Sequence, residues 1–259
     1  TLCVDKNSLT DSFHTNIPLA VAFFALVLAS CVAYFVVTTS RPGYVSSDLV
    51  FKDRLPPVVS AGDEEMATLA GSSPHPPPRL EDCPHCDQPR PLRAKHCRDC
   101  GRCVLKFDHH CFWVGTCIGE FNHFKFLVYL AFQFSAAFWA LLISGSGYQI
   151  DSDALYLCNG LATFMAGIFS LMTGTLLGYH FFLALTAQTT WEVMRRGSIN
   201  YLRDVPDNVN PFSRGVVYNL KAFATASEAE GPTKWPWPQP PFEEIQKCWW
   251  LENEYYSCC

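Results

Sequence analysis

Charge is what this sequence has least of. Its 259 residues carry 19 Lys and Arg against 24 Asp and Glu, a formal net charge of −5. No global positive field is available to hold a polyanion, so no nucleic acid is expected among its partners. Residues 17–38 and 126–148 carry no charge at all, and His180 is the single ionisable side chain in 158–186. There is no internal repeat, which sets aside solenoid architectures. No basic segment precedes the first apolar run and no clear small-residue cleavage site follows it, so that run is not a secretory signal peptide. The chain opens on Thr1 rather than Met and reads as a fragment or an incomplete amino terminus.

The three uncharged runs predict an α-helical polytopic membrane protein. Twenty-two residues at 1.5 Å rise cover roughly 33 Å, enough for a hydrocarbon core of about 30 Å. Spans are assigned to residues 17–38, 124–148 and 158–186, with Lys125 placed to snorkel at the start of the second. Lys and Arg set the orientation. One precedes the first span, eleven fall in 39–125, none in 149–157 and seven after residue 186. Residues 39–125 and the carboxyl region 187–259 are therefore assigned to the cytosol, with 1–16 and the loop 149–157 luminal. Residues 39–82 read as a cytosolic linker, rich in Pro, Ser and Ala around the run from Pro74 to Pro78. Trp235, Trp237, Trp249 and Trp250 suggest an interfacial belt.

Cysteine is the opposite case. There are thirteen, and seven lie between Cys83 and Cys117. A secreted disulfide scaffold would spread its cysteines and lack apolar spans, and the cytosol disfavours disulfides. The segment reads Cys83-x2-Cys86, then His96-Cys97-x2-Cys100-x2-Cys103, then Asp108-His109-His110-Cys111, then Cys117. Thiolate and imidazole in sets of four are what Zn²⁺ takes, and a short segment poor in apolar residues needs such staples to fold. Two Cys3His sites would use six Cys and two His, leaving one Cys and one His over.

This spacing resembles the cysteine-rich domain of the DHHC protein S-acyltransferases, the palmitoyltransferases. It is most similar to the family's short Golgi and ER members. Thr189-Thr190-Trp191-Glu192 matches the family's Thr-Thr-x-Glu motif, Asn210-Pro211-Phe212 with Asn219 resembles its carboxyl-terminal motif, and Asn122-His123 also fits. The resemblance covers about residues 17–223. It implies a two-zinc DHHC domain at 83–123. One ion would be held by Cys83, Cys86, His96 and Cys103, and the other by Cys97, Cys100, His110 and Cys117. It also implies a palmitoyl group moved from acyl-CoA, the co-substrate, to cysteines of target proteins at the cytosolic membrane face, through an acyl-Cys111 intermediate.

His109 is then suited to take the thiol proton and Asp108 to orient the imidazole, while His110 is engaged by metal. A Cys3His site with Zn²⁺ carries a formal charge of −1, so an ion pair with His109 is the better means of lowering the Cys111 pKa. Thr190 is expected to support Asp108. Arg90, Arg93, Lys95 and Arg98 are assigned to CoA phosphates. Cys258 and Cys259 are candidates for lipid attachment.

The sequence also departs from the family. Phe112-Trp113 replaces Pro-Trp after the motif, Gly115-Thr116 replaces Asn-Asn, and Arg41-Pro42-Gly43 replaces Asp-Pro-Gly. Family members usually have four or more spans, so the first is expected to be missing here and the acyl tunnel to lack one wall. The alternative reading is a catalytically weak, membrane-anchored zinc scaffold. A cross-brace ubiquitin ligase lacks support because no final Cys-x2-Cys pair is present.

Overall fold

The computed structural model describes residues 17–45, 82–146, 153–203, 205 and 209–226. The amino-terminal segment, most of the 39–82 linker, much of the 149–157 loop, the Trp-rich tail and Cys258–Cys259 lie outside them.

Three long helices dominate the first of two compact units. They are α1 (Ile17–Thr39), α2 (His123–Ser146) and α3 (Asp153–Thr186). All three are long and apolar enough to cross a membrane. The helices begin or end within a few residues of the expected spans; α3 starts earlier, because the residues just before 158 continue its backbone ladder. Phe24, Phe35 and Leu171 keep between 64% and 74% of their surface exposed. In water such helices would expose a prohibitive apolar area; in lipid, the same side chains lie in their preferred solvent.

Polar groups in these helices find internal partners, as hydrocarbon requires. Ser30 Oγ donates to Gln133 Oε1 at 2.8 Å, joining α1 to α2. Asn159 Nδ2 donates to the Ser144 carbonyl at 2.9 Å, joining α3 to α2. Thr163, Thr173 and Thr175 turn their hydroxyls back onto carbonyls four residues earlier. Phe23 meets Trp139 edge-on at 5.8 Å. His180 is buried with its ring 5.1 Å from that of Phe126.

The second unit holds residues 40–124 together with the chain from residue 182 onward. It contains three two-stranded antiparallel hairpins: β1 (Asp82–Cys83) with β2 (Gln88–Pro89), β3 (Lys95–Cys97) with β4 (Arg102–Val104), and β5 (His109–Cys111) with β6 (Thr116–Ile118). Residues 43–45 run beside β4, where Leu105 N donates to Gly43 O at 2.8 Å and Val45 N to Cys103 O at 2.9 Å. After α3 come α4 (Thr190–Arg195), two 3₁₀ turns and α5 (Val216–Thr225). Much of the core is sulfur: Cys83, Cys97, Cys103 and Cys117 are buried among Val104, Leu105 and Phe107. A second cluster joins Leu92 to Ile199, Leu202, Val209 and Phe212.

The carboxyl-terminal motif ties the tail down. Asn210 Nδ2 donates to the Thr186 carbonyl. Asn219 accepts from Arg214 N at 2.9 Å and donates to Leu185 O at 2.7 Å. Phe223 of α5 packs edge-on against His123, with ring centres 5.0 Å apart.

Gly119 joins β6 to α2 where nothing larger fits. A Cβ there would lie 2.6 Å from both Pro42 O and Val104 Cγ1, and 2.9 Å from Leu105 O. Two of those atoms are backbone and cannot swing aside. Gly119→Ala should destabilise this unit by about 1–3 kcal/mol. The measurement is thermal unfolding of the purified protein; an unchanged midpoint would contradict the close approach.

Candidate functional site

Alternation along short strands sorts the metal ligands. Successive side chains on a strand point to opposite faces. His96 and Cys97 are neighbours on β3, so they cannot serve one ion. His96 is directly opposite Cys103 on β4, and these two join Cys83 and Cys86. On β5, His110 is opposite Cys117, and these join Cys97 and Cys100. In each set the four ligand atoms lie within 4.8 Å of one another.

The turns prepare the sulfurs. The pairs Cys83-x2-Cys86 and Cys97-x2-Cys100 are each followed by a residue in the left-handed region, Asp87 at φ 50° and Gly101 at φ 63°. This curls the chain so that both thiols face inward. The backbone closes the first turn, with Asp87 N donating to Cys83 O at 2.9 Å.

Distances within the sets match one ion each. Cys86 Sγ is 3.2 Å from His96 Nδ1, and Cys103 Sγ is 3.8 Å from Cys86 Sγ. In the second set, His110 Nδ1 is 3.4 Å from Cys100 Sγ and 3.6 Å from both Cys97 and Cys117 Sγ. A tetrahedron with metal–sulfur bonds of 2.3 Å and metal–nitrogen bonds near 2.0 Å has edges of about 3.5–3.8 Å. The chemistry agrees. Burial, then the neighbouring thiols, push Cys103 and Cys117 far above the ordinary thiol range. Thiolates so crowded need a cation among them, and three sulfurs with one imidazole suit Zn²⁺. Among the described residues all cysteines are free of disulfides. Tyr44 OH supports the second set, 3.6 Å from Cys100 Sγ.

The same alternation isolates the reactive pair. With His110 turned to the metal set, His109 and Cys111 share the opposite face of β5. Cys111 is buried and belongs to neither set. His109 Nδ1 is 2.7 Å from Asp108 Oδ2, with Asp108 fully buried and the imidazole 29% exposed. Asp108 receives two further bonds from the start of α4. Thr190 N donates to its Oδ1 at 2.7 Å and Thr190 Oγ1 to its Oδ2 at 2.8 Å.

The electrostatics follow. Burial opposes the imidazolium of His109, but hydrogen bonds to Asp108 and Cys111 outweigh it and push the imidazole up to about 9. Burial likewise opposes the Cys111 thiolate, but the hydrogen bond from His109 and the amides of Val114 and Trp113 bring the thiol below its ordinary value. The two shifts both favour the thiolate–imidazolium pair over the neutral one.

The four cations assigned to phosphates do not stay together. Arg93 must be withdrawn from that cluster. It is 3% exposed and grips Glu192 through Nε and Nη2, both at 2.6 Å. Its guanidinium also lies 4.0 Å from the Phe212 ring centre. Lys95 Nζ sits 3.4 Å above the Trp191 ring. Arg90 is half-buried and Arg98 is exposed.

Sequence reasoning assigned no role to two further groups, although it had named Asn122. Asn122 is fully buried, accepting from Gly119 N and donating to Cys117 O, both at 2.9 Å. It thereby fixes the strand that carries a metal ligand. Lys106 stands at φ 42°. Burial and nearby Arg93 lower its ammonium to about 8, against the pull of Glu120, Glu192 and Asp108. A positive φ at Lys leaves no trace in sequence, but the Asn122-His123 pair in an apolar stretch was a usable signal.

Residues 78–197 match the family model described as DHHC palmitoyltransferase. The chain is 35% identical over 241 residues to Palmitoyltransferase ZDHHC12 of Homo sapiens, covering 91% of this chain and 80% of that protein. It is 37% identical over 232 residues to Palmitoyltransferase ZDHHC12 of Mus musculus, covering 88% and 78%. Against Protein S-acyltransferase 10 of Arabidopsis thaliana it is 31% identical over 161 residues, covering 57% and 47%.

The ion pair makes a measurable demand on His109. Without the imidazolium the Cys111 thiol should return toward the usual value near 8.5, so less thiolate is present at neutral pH. In the zinc-loaded protein, His109→Ala should slow iodoacetamide labelling of Cys111 at pH 7, read by peptide mass, and shift the labelling midpoint upward. A midpoint that stays put would remove the ion pair.

Proposed function

The chain belongs to the DHHC palmitoyltransferase family, as its match to the human relative over four-fifths of that protein shows, and is a protein S-acyltransferase; we propose that it works through an acyl-Cys111 intermediate. The observation that carries this reading is the division of labour in residues 83–117. Eight ligands form two sets, and the one cysteine outside them stands beside an Asp108-oriented His109.

The first half-reaction begins with the Cys111 thiolate and protonated His109. Sulfur attacks the thioester carbonyl of palmitoyl-CoA, and the bond to CoA sulfur breaks as the new thioester forms. CoA leaves as a thiolate and can take the proton that His109 holds. In the second half, a cysteine of the protein substrate gives its proton to His109 and attacks acyl-Cys111, which leaves as thiolate. His109 gives up its proton in the first transfer and regains one in the second, because Asp108 occupies Nδ1 and leaves Nε2 free for exchange. Asp108 keeps the imidazole in place, itself held by Thr190.

Two Zn²⁺ ions would be held by Cys83, Cys86, His96 and Cys103 and by Cys97, Cys100, His110 and Cys117. Bound there they supply cross-links, since three thiolates leave each site with a net charge of −1 and no open position. Arg90, Lys95 and Arg98 remain to meet CoA phosphates. The acyl chain lies among the membrane helices, where each buried CH2 contributes about 0.8 kcal/mol. Lys and Arg placement supports a cytosolic active site, and the chain's resemblance to the family's short Golgi and ER members supports residence in those membranes. Acylation of Cys258 and Cys259 belongs to the same proposal.

Intact mass spectrometry with palmitoyl-CoA tests this. Cys111→Ser should lose the hydroxylamine-sensitive acyl adduct and keep both metals. Cys97→Ala should release metal and unfold the hairpins. An adduct that persists in Cys111→Ser would refute the assignment.

A further inference from the structure

We propose that Arg93, Glu192 and Tyr201 are positioning residues for acyl transfer, acting on Asp108 through Thr190; the inference rests on the acyl-Cys111 reading. The starting point is α4. It has only six residues, far too few to hold a helix unaided. Yet its first residue, Thr190, makes two of the hydrogen bonds that fix Asp108. Something outside the helix must set its direction.

Glu192 does so. Its backbone amide donates to Thr189 Oγ1 at 3.2 Å, and its Oε2 accepts from Thr189 N at 3.0 Å. This reciprocal pair fixes the turn at Thr189, so the next amide, that of Thr190, projects free of any helical partner. The carboxylate is in turn saturated by groups remote in sequence. Oε1 accepts from Arg93 Nε at 2.6 Å and from Tyr201 OH at 3.0 Å, and Oε2 from Arg93 Nη2 at 2.6 Å. Arg93 Nη2 also donates to Ala187 O at 2.8 Å, gripping the chain on the other side of the turn. Arg93 and Glu192 are each 3% exposed.

Burying a charge pair gains little stability over apolar residues of like size. What a two-pronged guanidinium–carboxylate contact adds is direction. Arg93 stands between the metal ligands Cys86 and His96, so the contact references Thr190 to the metal-held hairpins that carry His109 and Cys111. An Arg93 bound to CoA phosphate would instead have to leave Glu192 unpaired.

Single-turnover acylation of the full chain by palmitoyl-CoA, with metal content measured alongside, separates the two roles. Glu192→Gln should lower the saturating rate on the order of 100-fold, the cost of an ångström-scale misplacement. The half-saturating concentration and two metals per chain should be kept. Tyr201→Phe, which loses one hydrogen bond, should slow the reaction on the order of fivefold. Because Glu192 acts through Thr190, Glu192→Gln with Thr190→Val should be no slower than the slower single variant. Three outcomes overturn the inference: rate losses that multiply in the double variant; an Arg93→Lys that raises half-saturation without lowering the rate; or a Glu192→Gln that acylates normally. Wild-type protein that never labels Cys111 would instead defeat the acyl-transfer reading, and this inference with it.

Discussion

Six sulfurs packed with two imidazoles into a space of this size can stay together only around cations. Burial drives Cys103 and Cys117 strongly toward the protonated state, and eight polar ligands, four of them buried and four half-buried, would otherwise scatter the three hairpins. The strands are two or three residues long, too short to persist as free hairpins. Metal binding at the two sets would thus contribute directly to the folding of these hairpins, and the Cys111 site would inherit its geometry from it.

What turns a metal-binding fold into a transfer centre is the two-residue period of a strand. Along His109, His110 and Cys111 the middle residue goes to the metal set and the outer two to the chemistry. One hairpin therefore fixes ligand and nucleophile together, a single side chain apart, without sharing any group between them. In the proposed mechanism the nucleophile's proton is managed by imidazole and carboxylate, and the cation sites are closed and structural.

The parts written in local pattern were legible beforehand. Three uncharged runs became three long helices, and the Cys and His spacing became two four-ligand sets, because each rests on periodicity or short separation. Arg93 shows where such reading stops. Four cations in nine residues look like one basic patch, yet at φ 63° Arg93 turns inward to meet a glutamate 99 positions away. Nothing local distinguishes it from exposed Arg98. Lys95, half-buried, lies over the Trp191 ring.

The bonds from Thr190 to Asp108 join residues 82 positions apart, with two long helices between them in the chain. The ribosome makes Cys111 and its histidine well before it makes Thr190. At about 5–20 residues per second the interval is roughly 4–16 s. Throughout it the thiol exists without the hydroxyl and amide that orient its carboxylate. On the proposed mechanism, nascent chains would be held short of full activity until the last of these helices has been synthesised and the chain beyond it has docked.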